Sequence, residues 1–157
     1  MTTALEHLRW VDNLLFTTMA ELPEAALTTK SGSADRTVAY LLQHIVGGAE
    51  WYRYCLSEVP WTNLAVPMNA AALDELRLHL DSMNSLLIEQ ATVPDESLVI
   101  EDEGGARTVT RSMLLSQAIY HSTEHRTQIA CALDAAGIAG LDLDEFDLWH
   151  FFGRHGG

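Results

Sequence analysis

Two histidines spaced four residues apart are the residues in this chain best suited to bind a metal ion. His121 and His125 fall within a run of apolar residues at intervals of three and four, which predicts the inner face of a helix. Side chains at this spacing lie one helical turn apart, with Cβ atoms separated by roughly 5–6 Å. A buried imidazole must also satisfy both ring nitrogens. The pair is therefore a candidate for two ligands of one metal ion.

A third histidine lies on a second apolar helical stripe. His44 shares this stripe with Gly48 and Trp51 in a segment that is predicted to be helical over about residues 36–56. If the two helices are neighbours, with axes roughly 8–10 Å apart, three neutral imidazoles can surround one divalent ion. Gly47 and Gly48, one turn after His44, lower helix propensity and predict open space beside its ring for a ligand or the partner helix.

Three imidazole ligands favour a catalytic rather than a structural metal site, because zinc with three protein ligands keeps a fourth position open. Water bound there has its pKa lowered towards roughly 7 in favourable sites, and a thiol can be held there as a thiolate. Imidazole also binds nickel, iron and copper, so zinc is only the first expectation for the metal. Neutral ligands leave the ion's double positive charge in place, which favours an anionic small-molecule substrate.

Further side chains are candidates for the surroundings of the metal. Glu124 borders the histidine stripe and is a candidate to orient a ligand or accept a proton, the alternative being an exposed glutamate beside Arg126. Gln128 is a candidate to hydrogen-bond a bound water or the substrate, or else the backbone. Trp51 and Tyr52 are candidates for the wall of the pocket, although aromatic residues at helical spacing also fit a simple core.

Two other metal motifs are weaker. The segment HSTEH fits H-x-x-E-H, in which inverted metallopeptidases use the glutamate as a general base, but only 32 residues follow His125 to provide their distant acidic ligand. Asp142, Asp144 and Asp147 lack the glycine and the terminal glutamate of a calcium loop. We therefore expect neither a peptidase nor a calcium site.

Four long helical patterns predict an all-α protein. Asp35 is the expected N-cap of the second helix, and Gly137 is the expected C-cap of the fourth. The four patterns cover about Thr3 to Leu22, about Arg36 to Leu56, a segment that begins after Asn69, and about Thr110 to Gly137.

Two smaller elements are predicted outside the four helices. Between the third and fourth helices, two short β-leaning runs flank Gly104 and Gly105, which predicts a hairpin packed on the end of the bundle. The C-terminal segment predicts a short helix or 3₁₀ segment that docks on the bundle through apolar residues at three-residue spacing. These residues are Leu143, Phe146, Trp149 and Phe152.

The composition narrows the class of protein. The 157 residues fit a single domain over 1–157, and 48% hydrophobic with 20% charged residues is ordinary for a globular protein. A net charge of −13 argues against nucleic acid and anionic lipid as partners. No signal-like start or membrane-length apolar run is present, so we expect a cytoplasmic protein. Cys55 and Cys131 are expected to be buried free thiols.

The remaining histidines are expected to lie outside the metal site. His7 and His79 fall on the polar sides of the first and third helices, where we expect solvated rings. His150 follows Trp149 in the C-terminal segment, and a surface position is expected for it. The alternative is that the C-terminal segment folds over the bundle and brings His150 to its mouth.

The combination of these motifs resembles the DinB-like, or YfiT-like, family of bacterial four-helix-bundle metalloproteins. The resemblance rests on TVAYLLQHIVGGAEWY in the second helix and HSTEHRTQI in the fourth, and it covers essentially the whole chain. It implies that His44, His121 and His125 are the metal ligands. It also implies an up-down-down-up four-helix bundle with the second and fourth helices adjacent, and a homodimer.

The resemblance implies a class of activity as well. Relatives include mycothiol-dependent maleylpyruvate isomerase and bacillithiol transferases, whereas many members have no assigned activity. The implied function is a metal-dependent S-transferase or isomerase that acts on a small molecule with a low-molecular-weight thiol. One alternative is a non-catalytic, small-molecule-binding or stress-related bundle protein that retains the metal. Another is a plain dimeric bundle in which the histidines bond only to one another.

Overall fold

The structure, a computed structural model, describes residues 1–32, 36–102 and 104–155, with side chains described as far as residue 153. Within these ranges the chain is mainly helical, with one small two-stranded sheet and two short 3₁₀ segments, Glu24–Thr28 and Leu143–Phe146. The helices and strands are α1 (Thr2–Glu21), α2 (Val38–Ser57), α3 (Ala70–Gln90), β1 (Ser97–Asp102), β2 (Gly105–Thr110), α4 (Arg111–Ala135) and α5 (Leu148–His155).

Side-chain caps define where three of the long helices begin. Thr37 accepts a hydrogen bond from the backbone N–H of Tyr40 at the start of α2, and Asn69 and Thr110 act in the same way at the starts of α3 and α4. A cap of this kind stabilises a helix by about 1 kcal/mol. Asp35, the expected cap of α2, lies outside the described residues, and Thr37 is the cap that the structure has.

The four long helices pack around one another. α1 and α2 each pack against both α3 and α4, which confirms the expected adjacency of α2 and α4. Buried aliphatic and aromatic side chains from all four helices fill the space between them. The expectation of an all-α protein is confirmed apart from the small sheet. Within the described ranges, no helix combines the length and the apolar character that a bilayer crossing requires.

The predicted hairpin between α3 and α4 is confirmed. β1 pairs antiparallel with β2, in a register that runs from Ser97 opposite Thr110 to Asp102 opposite Gly105. Gly105 has φ of 94°, a conformation that favours glycine. Ile100 is buried in a cluster with side chains of α1, α3 and α4, so the hairpin packs on the end of the helices as expected.

The C-terminal segment docks through residues that the sequence only partly predicts. Phe146 is buried as expected, but Trp149 and Phe152 are exposed, and Phe151 is buried in their place. The Nε2 atom of His7 lies 2.8 Å from the carbonyl oxygen of Phe146. The expectation of a solvated His7 is therefore wrong, because the C-terminal segment folds back over α1 and covers the ring.

A buried carboxylate organises the connection between α2 and α3. Glu50 is only 1% exposed, and its carboxylate accepts hydrogen bonds from the backbone N–H and the hydroxyl of Thr62. The Nε2 atom of His79 lies 2.7 Å from Oε1 of the same carboxylate. The expectation of a solvated His79 is therefore wrong, because α3 packs against α2 and brings the imidazole to this buried acid.

The two cysteines are free thiols, as expected. Cys55 is half-buried on α2, and burial raises the pKa of its thiol. Cys131 is exposed, so the expectation that it is buried is wrong. The residue lies on a part of the α4 surface that neighbouring helices leave uncovered.

Candidate metal centre

The three histidines singled out by the sequence come together between α2 and α4. The ring centroid of His44 lies 5.0 Å from that of His121 and 4.7 Å from that of His125, and the last two lie 4.5 Å apart. One nitrogen of each ring lies within 4.8 Å of the others. A single point can then lie within about 3 Å of all three nitrogens, against Zn–N bonds of roughly 2.0–2.1 Å. Small ring rotations would bring all three onto one ion.

Gly48 allows α2 and α4 to approach closely enough for this convergence. A Cβ atom at Gly48 would lie 2.3 Å from Cε1 and 2.7 Å from Nδ1 of His121, much closer than non-bonded atoms approach. At Gly47 a Cβ atom would meet nothing within 4 Å. The two glycines predicted open space beside His44. The ring of His121 fills this space at Gly48, whereas Gly47 faces open space as expected.

Gln128 orients one of the three rings. Its side-chain oxygen accepts a hydrogen bond of 2.9 Å from Nδ1 of His125, whose side chain is buried. An amide oxygen can only accept, so this contact places the proton on Nδ1 and leaves the lone pair on Nε2 for a metal. Partners of this kind hold metal-binding histidines in the correct tautomer and orientation. The sequence indicated a water, a substrate or the backbone as the partner of Gln128, and the structure gives it His125 instead.

Burial keeps two of the rings in the neutral form that binds metal. Removal from water is the largest cause, and it lowers the pKa of His121 to about 4, assisted by the electrostatic effect of His125 and His44. The same cause lowers the pKa of His44, with smaller effects from His125 and from the charge of Arg36. Both rings therefore offer a lone pair at neutral pH without first releasing a proton.

Aromatic rings surround the cluster on α2. Tyr52 is buried, and its ring meets the ring of His121 edge to face with centroids 5.8 Å apart. Trp51 packs edge to face on Tyr52. Of the two expected wall residues, Tyr52 is therefore the one that contacts the histidine cluster. Tyr40 stacks on His44, with centroids 5.7 Å apart and an angle of 12° between the planes. Sequence reasoning missed Tyr40, although it stands one turn before His44.

The other candidate residues lie at the surface. Glu124 is exposed on α4, one residue before His125, so it borders the histidine pair as the helical wheel predicts. Its role as a proton acceptor stays a prediction. His150 is exposed, and its Nδ1 lies 3.0 Å from a carboxylate oxygen of Asp147. Its expected surface position is confirmed.

A buried polar cluster flanks the histidines on α4 and was not found from the sequence. Asp12 of α1 is 1% exposed and accepts hydrogen bonds from Asn84 at 2.8 Å and Ser122 at 2.5 Å, and Arg126 lies 3.6 Å from its carboxylate. Burial raises the pKa of Asp12, opposed by the positive charge of Arg126, and burial lowers the pKa of Arg126. Since Ser122 and Arg126 directly follow His121 and His125, the cluster ties this part of α4 to α1 and α3. The sequence contains one indication of this cluster, which is that Asp12 directly follows the core residue Val11.

Comparison with known proteins agrees with the arrangement of the site. A family model described as the DinB family matches residues 1–150, a range that contains all three histidines, Gly48 and Gln128. No curated protein and no solved structure matches the chain. The family match therefore supports the helical fold and a possible metal-dependent role, and the particular reaction has to be argued from the residues.

Proposed function

The chain belongs to the DinB family, and on that premise we propose that it is a metal-dependent enzyme whose divalent ion is held by His44, His121 and His125. The observation that carries the proposal is the approach of three imidazole nitrogens to within 4.8 Å of one another. Imidazole nitrogens are ligands that suit zinc, nickel and iron. Zinc is the first expectation, with nickel or iron as alternatives.

Each neighbouring residue has a separate part in this proposal. Gln128 holds His125 in the tautomer that binds metal, and Gly48 admits the ring of His121. When bound, the ion supplies a Lewis acid with an open position for a thiol or a water. Glu124, at the exposed edge of the histidine pair, accepts the proton that an incoming thiol releases. Trp51 and Tyr52 close the pocket on the side of α2.

The reaction class that we propose is S-transfer or isomerisation of a small molecule with a low-molecular-weight thiol. Three neutral ligands leave the charge of the ion uncompensated, so an incoming thiol is stabilised as its thiolate. A thiolate is the nucleophile that both reactions need. The resemblance of the second and fourth helices to the DinB-like family, whose members include thiol-dependent enzymes, supports the same choice.

A non-catalytic metal-containing binding protein is the second candidate. A cavity of about 10 Å³, room for roughly one water, adjoins His121 on the core side and is lined by neither His44 nor His125. This cavity gives no room for a substrate, which is compatible with a protein in which the metal stabilises the bundle or captures a very small ligand. The two candidates share the same three ligands and differ in turnover.

We further propose finer features, of which the bundle order and the dimer are implied by the family resemblance and the others are expected from the sequence. These are an up-down-down-up bundle, a single domain over residues 1–157, a homodimer and a cytoplasmic location. The contact between α2 and α4 supports the helix order, and the net charge of −13 supports the expectation that nucleic acid is not a partner. Light scattering of the purified protein measures the oligomeric state.

Metal analysis tests the proposed site. After gentle purification the protein should contain about one divalent ion per chain, and His44→Ala should remove most of it because a three-ligand site loses a third of its donors. His150→Ala is the matched control, since this histidine is exposed and distant in sequence from the cluster. Equal metal content in the two variants would contradict the proposed site.

Turnover separates the two candidate functions. Metal-loaded protein is incubated with mycothiol, bacillithiol or glutathione and an electrophilic acceptor, and loss of free thiol is measured. Metal-dependent turnover that His44→Ala abolishes supports the enzyme. A full complement of metal without turnover for any of the three thiols favours the binding protein.

A further inference from the structure

Three side chains form a column that leads from the protein surface to the candidate metal centre. Tyr40 and His44 stand four residues apart near the start of α2, so they lie on one face, and Arg36 lies two residues before the helix begins. The guanidinium carbon of Arg36 lies 5.9 Å from the ring centroid of Tyr40, whose ring stacks on His44 at 5.7 Å. Arg36 and Tyr40 are exposed, whereas His44 is half-buried. The column therefore connects a solvent-accessible cation to a metal ligand in two short steps.

Arg36 places an exposed positive charge on a strongly acidic chain. The chain has 22 acidic and 9 basic residues, and among the described residues five other arginines pair with carboxylates. Within the same part of the chain, no carboxylate lies within ion-pair distance of Arg36. Its charge also acts on the ring of His44. A cation in this position attracts anions towards the histidine cluster.

Helix stability does not explain an arginine at this position. Arg36 directly precedes Thr37, the N-cap of α2, so its charge lies beside the positive end of the helix dipole. A cation there is unfavourable for the helix, whereas a bound anion is favourable. The arginine is consequently better placed to bind a ligand than to stabilise the fold.

We infer that Arg36 binds the carboxylate of a small anionic thiol whose sulphur lies at the metal centre. This inference rests on the proposed function. A guanidinium holds a carboxylate through two parallel hydrogen bonds. Tyr40, which is 37% exposed, lies between the two ends and contacts the carbon chain of the ligand. The length of the column selects thiols in which several carbons separate the sulphur from the carboxylate.

A pair of probe thiols tests the inference. The wild type, Arg36→Gln and Arg107→Gln are loaded with Co²⁺ and titrated with γ-mercaptobutyrate and with neutral mercaptobutanol, while sulphur-to-cobalt absorption is recorded. Arg36→Gln should weaken binding of mercaptobutyrate about fivefold to tenfold, the range for an exposed charged hydrogen bond. It should leave mercaptobutanol within about twofold, and Arg36→Lys should recover part of the loss.

Arg107→Gln is the matched control, because Arg107 is an exposed arginine on the hairpin and its loss changes the net charge equally. Equal weakening by both glutamine variants would overturn the inference in favour of a general charge effect. Unchanged mercaptobutyrate binding by Arg36→Gln, with both thiols bound at cobalt, would overturn it while the proposed function stands. Cobalt binding without any sulphur absorption in the wild type would overturn both.

A stability measurement excludes a purely structural role for Arg36. If the residue acts only on the fold, Arg36→Gln should lower the melting temperature of the metal-free protein. It should also weaken the binding of both thiols to the same extent. The inference predicts an unchanged or slightly raised melting temperature, because a cation leaves the positive end of α2. A lowered melting temperature with equal loss for both thiols would contradict it.

Discussion

The interface between α1 and α3 buries several leucines beside the hydrogen bond from Asn84 to Asp12, whereas the interface between α2 and α4 contains the three histidines and Gly48. In the first, side chains such as Leu8, Leu15, Leu80 and Leu87 are almost fully buried. Each buried leucine stabilises the fold by roughly 1.5–3 kcal/mol. In the second, a glycine that costs a helix roughly 0.5–1 kcal/mol replaces a side chain that could fill space. The interface between α1 and α3 therefore stabilises the fold. The interface between α2 and α4 contributes less stability, because its glycine makes room for the histidine rings.

Substitutions should separate the two interfaces experimentally. Changes between α1 and α3 should lower the free energy of unfolding and leave the metal content of the folded protein intact. Changes between α2 and α4 should lower metal affinity with a smaller effect on the free energy of unfolding. A substitution that affects both quantities equally would show that the division is incomplete.

The largest effect on stability is expected for Leu80→Ala. Leu80 is 2% exposed on α3, so its truncation should lower the free energy of unfolding by about 2–5 kcal/mol through lost burial and a residual cavity. Urea denaturation measures the change, and metal analysis of the folded variant should still give the wild-type content. Leu78→Ala is the matched control, since Leu78 is 57% exposed on the same helix and should change stability by less than about 0.5 kcal/mol.

The next effect concerns the two glycines of α2. Gly48→Ala should lower metal affinity by about 100-fold, at the upper end of the losses caused by disturbing a ligand's surroundings, because the new Cβ displaces the ring of His121. Gly47→Ala should keep the affinity and raise the free energy of unfolding by roughly 0.5–1 kcal/mol. Competition with a chromophoric chelator measures both affinities. Equal metal affinity in the two alanine variants would contradict the role of Gly48.

A smaller effect is expected at Gln128. Gln128→Leu removes the acceptor for Nδ1 of His125 and should lower metal affinity about tenfold, since packing still holds the ring. Gln128→Glu keeps an acceptor oxygen at a similar reach and should restore the affinity. If the leucine variant binds metal as tightly as the wild type, the hydrogen bond has no part in organising the site.

The smallest effect concerns a surface pair between α1 and α3. The hydrogen bond from Arg9 lowers the pKa of Asp81, so this carboxylate stabilises the folded protein above its unfolded pKa, and the contribution is lost as the pH falls through the folded value. At neutral pH Asp81→Asn should lower the free energy of unfolding by less than about 1 kcal/mol, because the pair is partly exposed. Urea denaturation at pH 7 and below pH 4 should show the difference between the two proteins shrinking in acid. A difference that grows in acid would contradict this sign.

The long helices and the histidines of the candidate metal centre could be predicted from the sequence because both depend on local physics. A period of three and four places His44, His121 and His125 on inner faces whatever the rest of the chain does. The glycine pair at residues 104 and 105 likewise indicated the hairpin. Similarity of two segments to a known family then fixed which helices should be adjacent.

Contacts made by distant segments could not be predicted in this way. His79 meets Glu50 because α3 packs against α2, and His7 is covered because the C-terminal segment folds back. A helical wheel gives the direction of a side chain but not what lies in front of it. Asp12 was missed for the same reason, since its partners come from α3 and α4.

X-ray absorption at the zinc edge tests the central claim most directly. The zinc-loaded protein is measured before and after addition of mercaptobutanol. Three imidazole nitrogens and one oxygen are expected at about 2.0–2.1 Å, and the thiol should replace the oxygen with a sulphur at about 2.3 Å. Fewer than three imidazoles, or a set of four protein ligands that the thiol leaves unchanged, would contradict an open site formed by His44, His121 and His125.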